Sequence, residues 1–194
     1  IGGGARRMDM LFSLIKNTEI PPTQLLPTHV NRTENLFNMG VEYIKEGGYV
    51  DFTTSSDEEF LEEGELTASE ALKKIVDMNL PISHVTFSSD GNGSMPNFNE
   101  KRELIGLKIC NVNSLYKEVK KAILNKKIPI EIALSTITSN VAKILKLEDK
   151  GEIKAGKTAD FVIVNKESFD IEDVYAKGVQ VVKNKIPIKK GMFE

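Results

Sequence analysis

Residues 84–96, HVTFSSDGNGSMP, join a β-branched and aromatic run to an aspartate and two glycines. Val85, Thr86 and Phe87 have the composition of a buried strand, and Asp90 follows at its C-terminal tip. Gly91 and Gly93 give the backbone freedom to turn sharply around whatever Asp90 holds. A second extended run, Leu25–Thr28, ends in the same way on His29, with Asn31 and Arg32 just beyond. Two strands that each end on a potential metal ligand point towards a metal-dependent hydrolase.

The segments between these runs set the fold class. Thr33 to Glu46 places Phe37, Val41 and Ile44 on one helical face, and Gly47-Gly48 closes that helix. Tyr49–Thr54 reads as a strand. Thr67-Ala68-Ser69-Glu70 is a capping box that opens a helix with Leu72, Ile75 and Val76 inward, ended by Pro81. Residues 25–90 therefore run strand, helix, strand, helix, strand with short connections, the rhythm of a parallel sheet with crossover helices. Upstream, Met8, Leu11, Leu14 and Ile15 mark a helix ending near Asn17. Downstream, helices are predicted over Ile109–Leu124 and Pro129–Leu145. From Lys150 onwards glycines punctuate short β-rich runs at Phe161–Val164, Val179–Lys183 and Ile186–Ile188, too few to bury a core of their own.

The expected class is α/β: the C-terminal portion of a (β/α)8 TIM barrel in residues 1–149, followed in residues 150–194 by strands of a small β-sandwich domain. A closed barrel needs eight strands and usually about 250 residues. Fewer than half of those strands are legible here, and Ile1-Gly2-Gly3-Gly4 reads as the middle of a strand-to-loop junction. The expectation is a fragment whose partner strands lie upstream of Ile1 or in another chain.

Composition narrows the function classes. The chain is 40% hydrophobic and 28% charged with net charge −2, which gives no reason to expect nucleic acid or a membrane surface as partner. No apolar run approaches the roughly 18 residues of a membrane span. A single cysteine, Cys110, excludes an internal disulfide framework and fits a reducing, cytoplasmic setting. It reads as a partly buried thiol at a helix start. Residues Asp57, Glu58, Glu59, Glu62, Glu63 and Glu65, with Asp51 upstream, form an acidic run that reads as a solvated loop. His84 precedes its strand, at the end opposite Asp90, and reads as structural.

LLPTHVNR (25–32), DFTTSS (51–56) and SSDGNGSMP (88–96) resemble the isoaspartyl dipeptidases of the amidohydrolase superfamily. TSNVA (138–142) and GEIKAGKTADF (151–161) resemble the superfamily's more widespread C-terminal signature. The resemblance covers essentially the whole chain, which matches the C-terminal half of such an enzyme. It implies a (β/α)8 barrel with a small β domain, two zinc ions per complete site and hydrolysis of β-aspartyl dipeptides. His29 would be a metal ligand at the end of the sixth strand. Asp90, ending the eighth, would be both metal ligand and proton shuttle. Arg32 would hold a substrate carboxylate and Ser94 would contact the same end of the dipeptide. The family's His-x-His pair and bridging lysine belong to earlier strands, and its fifth-strand histidine would fall just before Ile1. Gly3 stands where the family has an aspartate.

The residue types suit amide hydrolysis independently. A metal polarises a carbonyl and activates water, a carboxylate accepts and returns the proton, and a guanidinium forks onto a carboxylate. The resemblance leaves two alternatives open: another amidohydrolase, dihydroorotase-like or an N-acyl-amino-acid deacylase, and an inert fragment lacking the earlier ligands. It also implies self-association into a homo-oligomer. The chain by itself is expected neither to hold two zincs tightly nor to hydrolyse peptides.

Overall fold

The computed structural model describes residues 4–55 and 64–191. The acidic run at Asp57, Glu58, Glu59, Glu62 and Glu63 lies outside the described residues. The chain divides into two compact units, residues 1–140 and 141–194.

In the first unit, strand β1 (Val50–Thr53) pairs in parallel with β2 (Val85–Ser88), with Asp51 opposite Thr86 and Phe52 opposite Phe87. The predicted strand Leu25–Thr28 is extended but irregular. The Asp51 N–H donates to the Pro27 carbonyl at 2.9 Å, and the Val30 N–H donates to the Asp51 carbonyl at 3.3 Å. A regular parallel bridge would place one residue between those two partners, but here there are two, Thr28 and His29. His29 takes up the surplus with φ +62°. The run is therefore a third, bulged member of the parallel arrangement, interrupted at the residue of greatest interest.

The helices are α1 (Asp9–Asn17), α2 (Glu34–Lys45) and α3 (Ala68–Asp77). Thr33 caps α2 by accepting from the Leu36 N–H. Gly47, at φ +86°, closes it: the Gly48 N–H reaches the Tyr43 carbonyl at 2.8 Å and the Gly47 N–H reaches Ile44 at 2.9 Å. Gly40 lies where α2 crosses the sheet. A Cβ there would sit 2.3 Å from Val30 Cγ1, so this glycine lets the helix press directly onto the residue after His29. Val50, Phe52, Val85 and Phe87 turn towards the helices and join Leu36, Phe37, Tyr43, Leu72 and Ile75 in one buried cluster. Phe52 bridges Phe37 and Phe87, with ring centroids 6.0 and 6.4 Å away.

The capping box of α3 forms as its spacing predicts. The Thr67 side chain accepts from the Glu70 N–H, and the Glu70 carboxylate accepts from the Thr67 N–H. Glu118, on α4 (Ser114–Leu124), reaches across to accept from the Ser69 N–H at 2.9 Å and pairs with Lys121. Burial pushes the Glu118 carboxyl above its ordinary 4.5, outweighing its hydrogen bonds to Ser69. The folded state thus holds this proton more tightly than the unfolded chain does. Its favourable contribution is complete below about 4.5 and is lost as pH rises through the folded pKa. The stability of the wild type relative to Glu118→Gln is therefore expected to fall over that window and level off above it. Urea unfolding of both proteins at a series of pH values measures this, and a pH-independent difference would contradict it.

Other elements differ from expectation. The predicted helix from Ile109 begins at Ser114, because Leu104–Ile109 is strand β4, paired in antiparallel fashion with β3 (Ser94–Phe98). The predicted helix over Pro129–Leu145 breaks into α5 (Ile130–Ser135) and α6 (Ser139–Ile144). At the break, the hydroxyls of Thr136 and Thr138 donate to the carbonyls of Ala133 and Leu134, and the Thr136 carbonyl accepts from Phe87 N–H on β2 at 3.0 Å. Bonding to the sheet outweighs continuing the helix. Asn140, in the TSNVA segment, donates to the carbonyls of Ile82 and Val85 and so pins the start of β2.

In the second unit, β5 (Phe161–Val164), β6 (Ile171–Ala176), β7 (Val179–Lys183) and β8 (Ile186–Pro187) form one antiparallel sheet in sequence order. Strand β6 is additional to the expected runs. Phe161 and Tyr175, directly opposite in the register, stack with ring centroids 4.5 Å apart. Among the described residues, no helix is long and apolar enough to cross a membrane.

Candidate active site

Positions 29 to 33 carry the chain from the sheet into α2 within five residues. Val30 is buried in the core, and the Arg32 N–H closes a tight turn onto the His29 carbonyl at 3.2 Å. Between them Asn31, with no exposed surface, ties three backbone groups together. Its amide donates to the carbonyls of Thr53 (3.0 Å) and Leu66 (2.7 Å), and its oxygen accepts from the Thr53 N–H (2.8 Å). The loop carrying His29 and Arg32 is thereby locked to the end of β1.

Asp90 follows β2 by two residues, at φ +51°. Its carbonyl accepts from the Gly93 N–H at 2.9 Å, making a tight turn. The residue after β4 holds that turn: Cys110 N–H donates to Gly93, and the Cys110 carbonyl accepts from Asn92 N–H. The Cys110 thiol is buried. The two glycines serve close approach rather than an unusual backbone conformation, which falls instead on Asp90 and Asn92. A Cβ on Gly93 would lie 2.9 Å from Asp90 Oδ1 and 2.8 Å from the Asp90 carbonyl oxygen. A Cβ on Gly91 would lie 2.4 Å from Val112 Cγ1.

These two turns bring His29 and Asp90 together, with Nε2 of the histidine 4.0 Å from Oδ2 of the aspartate. The imidazole is 23% and the carboxylate 37% exposed, so the pair is partly buried but reachable by solvent. Burial, and next the positive charge of Arg32, lower the His29 pKa, with Asp90 opposing them. The neutral ring, with a lone pair to offer, is thus favoured at neutral pH. His29 Nδ1 and Arg32 Nε are both buried without a hydrogen-bond partner. Ser94 lies at the first position of β3, exposed. His84 sits elsewhere, its Nδ1 2.9 Å from the Gly48 carbonyl and its ring against Tyr49.

Asp51 is not part of an acidic surface. It is 4% exposed, and its carboxylate accepts from the hydroxyls of Thr28 (2.7 Å), Thr86 (2.8 Å) and Ser88. Burial raises its pKa despite those three donors. Asn31 and Asp51 are the structurally decisive neighbours of the pair. The sequence places Asn31 just after His29 and Asp51 in the DFTTSS run, but it does not show which buried groups either one meets.

The donor set suits a divalent cation. Among the described residues no three His, Cys, Asp or Glu side chains gather to hold one. A neutral imidazole nitrogen and a carboxylate oxygen are both zinc-ligand types, and at 4.0 Å they stand about half an ångström wider than the roughly 3.4 Å that tetrahedral zinc with bonds of about 2.0–2.2 Å sets between two ligand atoms, so sharing an ion requires a small side-chain movement.

A parallel arrangement with a histidine–aspartate pair in the turns after its strands places these side chains where parallel α/β proteins build their sites. Residues 57–184 match the amidohydrolase family model, and the chain belongs to that family. It is similar to the crystal structure of β-aspartyl dipeptidase from the thermophilic keratin degrader Fervidobacterium islandicum AW-1, in complex with a β-Asp-Leu dipeptide. The TM-score is 0.85 and the identity 34%, covering 99% of this chain and 48% of that one. A zinc-bound adenosine deaminase from Xanthomonas campestris shares the fold, with TM-score 0.54 and 14% identity over 97% of this chain and 43% of that one. Adenine deaminase 2 of Oenococcus oeni is 32% identical over 80 residues, 41% of this chain and 14% of that protein. The chain thus spans about half the length of the dipeptidase it matches.

Proposed function

We propose that this chain forms part of a zinc-dependent hydrolase of β-aspartyl dipeptides. The observation that carries the reading is the convergence of His29 and Asp90 at 4.0 Å, in a chain 34% identical to a β-aspartyl dipeptidase over 99% of its length. In this reading His29 and Asp90 hold the metal. A bound zinc supplies Lewis acidity that polarises a scissile carbonyl and activates water. The Asp90 carboxylate accepts the proton of the attacking water and returns it to the leaving amine nitrogen. Its 37% exposure leaves it accessible for both transfers. Arg32, three residues past His29 and with a buried, unpartnered Nε, binds a substrate carboxylate. Ser94, at the start of β3, contacts the same end of the dipeptide.

The test is cleavage of β-Asp-Leu against α-Asp-Leu by the full product of the gene, with zinc supplied. The β-linked peptide is expected to be cleaved and the α-linked one left intact. Equal cleavage of both, or preference for the α-linked peptide, would overturn the substrate assignment.

A further inference from the structure

Asp51 uses every one of its polar atoms to join the two segments that carry His29 and Asp90. Its N–H and carbonyl bond Pro27 and Val30, which bracket Thr28 and His29. Its Oδ2 accepts from the hydroxyl of Thr28, the residue before His29. The same oxygen accepts from Ser88, two residues before Asp90, while Oδ1 accepts from Thr86 on the same strand. Phe52 and Phe87 occupy the opposite face of these strands and pack into the apolar cluster. The carboxylate therefore contributes nothing to that core. A buried carboxylate is costly to desolvate, and here its three hydroxyl partners all lie on the extended segments that lead to the turns of His29 and Asp90. An apolar residue at position 51 would fill the space without that cost, but would leave the strand ends held by main-chain pairing and Asn31 alone, without the side-chain ties to Thr28, Thr86 and Ser88.

We propose that Asp51 is a positioning residue that sets the spacing of His29 Nε2 and Asp90 Oδ2 and thereby the affinity of the pair for zinc. The proposal rests on the reading that those two side chains share the metal. It concerns a residue that touches neither zinc nor substrate.

The imidazole nitrogens of His29 and His84, each identified by the NMR signals that disappear in His29→Asn or His84→Asn, can be followed in the full product of the gene during zinc titration. In the wild type the His29 ring is expected to shift with added zinc while His84, bonded to Gly48, stays in place. Asp51→Ala is expected to raise the zinc concentration for half-maximal shift of His29 by about tenfold or more, as loss of a supporting partner typically does. Asp51→Asn keeps the shape and one acceptor oxygen, and is expected to fall between the two. Thermal melts run alongside separate this effect from stability, since a purely structural Asp51 would lower the melting temperature and leave the zinc midpoint of the folded protein unchanged.

Should Asp51→Ala fail to fold, Thr28→Val and Ser88→Ala each remove one hydroxyl and are expected to raise the midpoint about fivefold, the worth of one hydrogen bond. Unchanged midpoints in the folded variants would overturn the role of Asp51 while leaving the metal reading intact. Absence of any His29 response in the wild type would remove that reading, and the proposal with it.

Discussion

Replacing Asp90 by asparagine is expected to lower kcat for β-aspartyl dipeptide hydrolysis by about 10²–10⁴-fold in the full product of the gene, the usual worth of a positioned general acid–base. The variant isolates chemistry from folding. Asp90 stands at φ +51°, a left-handed conformation that asparagine adopts as readily as aspartate. The Gly93 N–H bonds the main-chain carbonyl of residue 90, which the substitution leaves untouched. The amide is nearly isosteric, so the close approach of Gly93 is preserved. What disappears is the capacity to take up a proton and the anionic oxygen that the proposed site offers the metal, so zinc content is measured for both proteins and kcat is compared at full occupancy. The Michaelis constant is expected to change far less than kcat, because Arg32 and Ser94 carry the substrate contacts. Steady-state kinetics with a melting curve for each protein measure this, and retention of wild-type kcat would show that the proton moves through another group.

Asn31→Leu is expected to be the most destabilising single change near the site, by about 3 kcal/mol or more. Leucine matches asparagine in bulk, but it strips partners from three backbone groups at once: the Thr53 N–H, the Thr53 carbonyl and the Leu66 carbonyl. Position 31 has no exposed surface, so water cannot readily replace the lost bonds. Each unmet buried polar group costs roughly 1–3 kcal/mol. The loss also frees the turn at positions 29 to 33 from the end of β1, so the residual folded protein is expected to bind zinc more weakly at His29. Urea unfolding monitored by circular dichroism gives the stability, and a loss below about 1 kcal/mol, the net worth of one ordinary hydrogen bond, would contradict the clamp.

Much of the first unit could be read from local chemistry. The capping box at Thr67 and Glu70, the glycine closure of α2 after Glu46 and the strand at Val85 depend on neighbours within a few residues, and each forms as its spacing predicts. What escaped the sequence depends on distant partners. The apolar run Leu104–Ile109 flows into a helical pattern, and only its pairing with Ser94–Phe98 makes it a strand. The break between α5 and α6 arises because Phe87, far away in sequence, draws on the Thr136 carbonyl. Strand β6 carries Glu172 and Asp173 among its apolar residues, which masks it until β5 and β7 flank it.

The candidate site divides along the same line. His29 and Asp90 could be picked out as ligand-type residues at the ends of extended runs, and the structure brings their side chains together. That both take left-handed backbone conformations could not be read, since neither is glycine. Nor could the roles of Asn31, Asp51 and Asn140. Each is a common polar residue whose importance lies in which buried carbonyls or hydroxyls it meets after folding.

Crystals of the full gene product grown with zinc, with anomalous scattering collected across the zinc absorption edge, test the central claim most directly. An ion within about 2.0–2.2 Å of both His29 Nε2 and a carboxylate oxygen of Asp90 is the predicted result. Zinc bound elsewhere, with His29 and Asp90 facing each other and no ion between them, would contradict it.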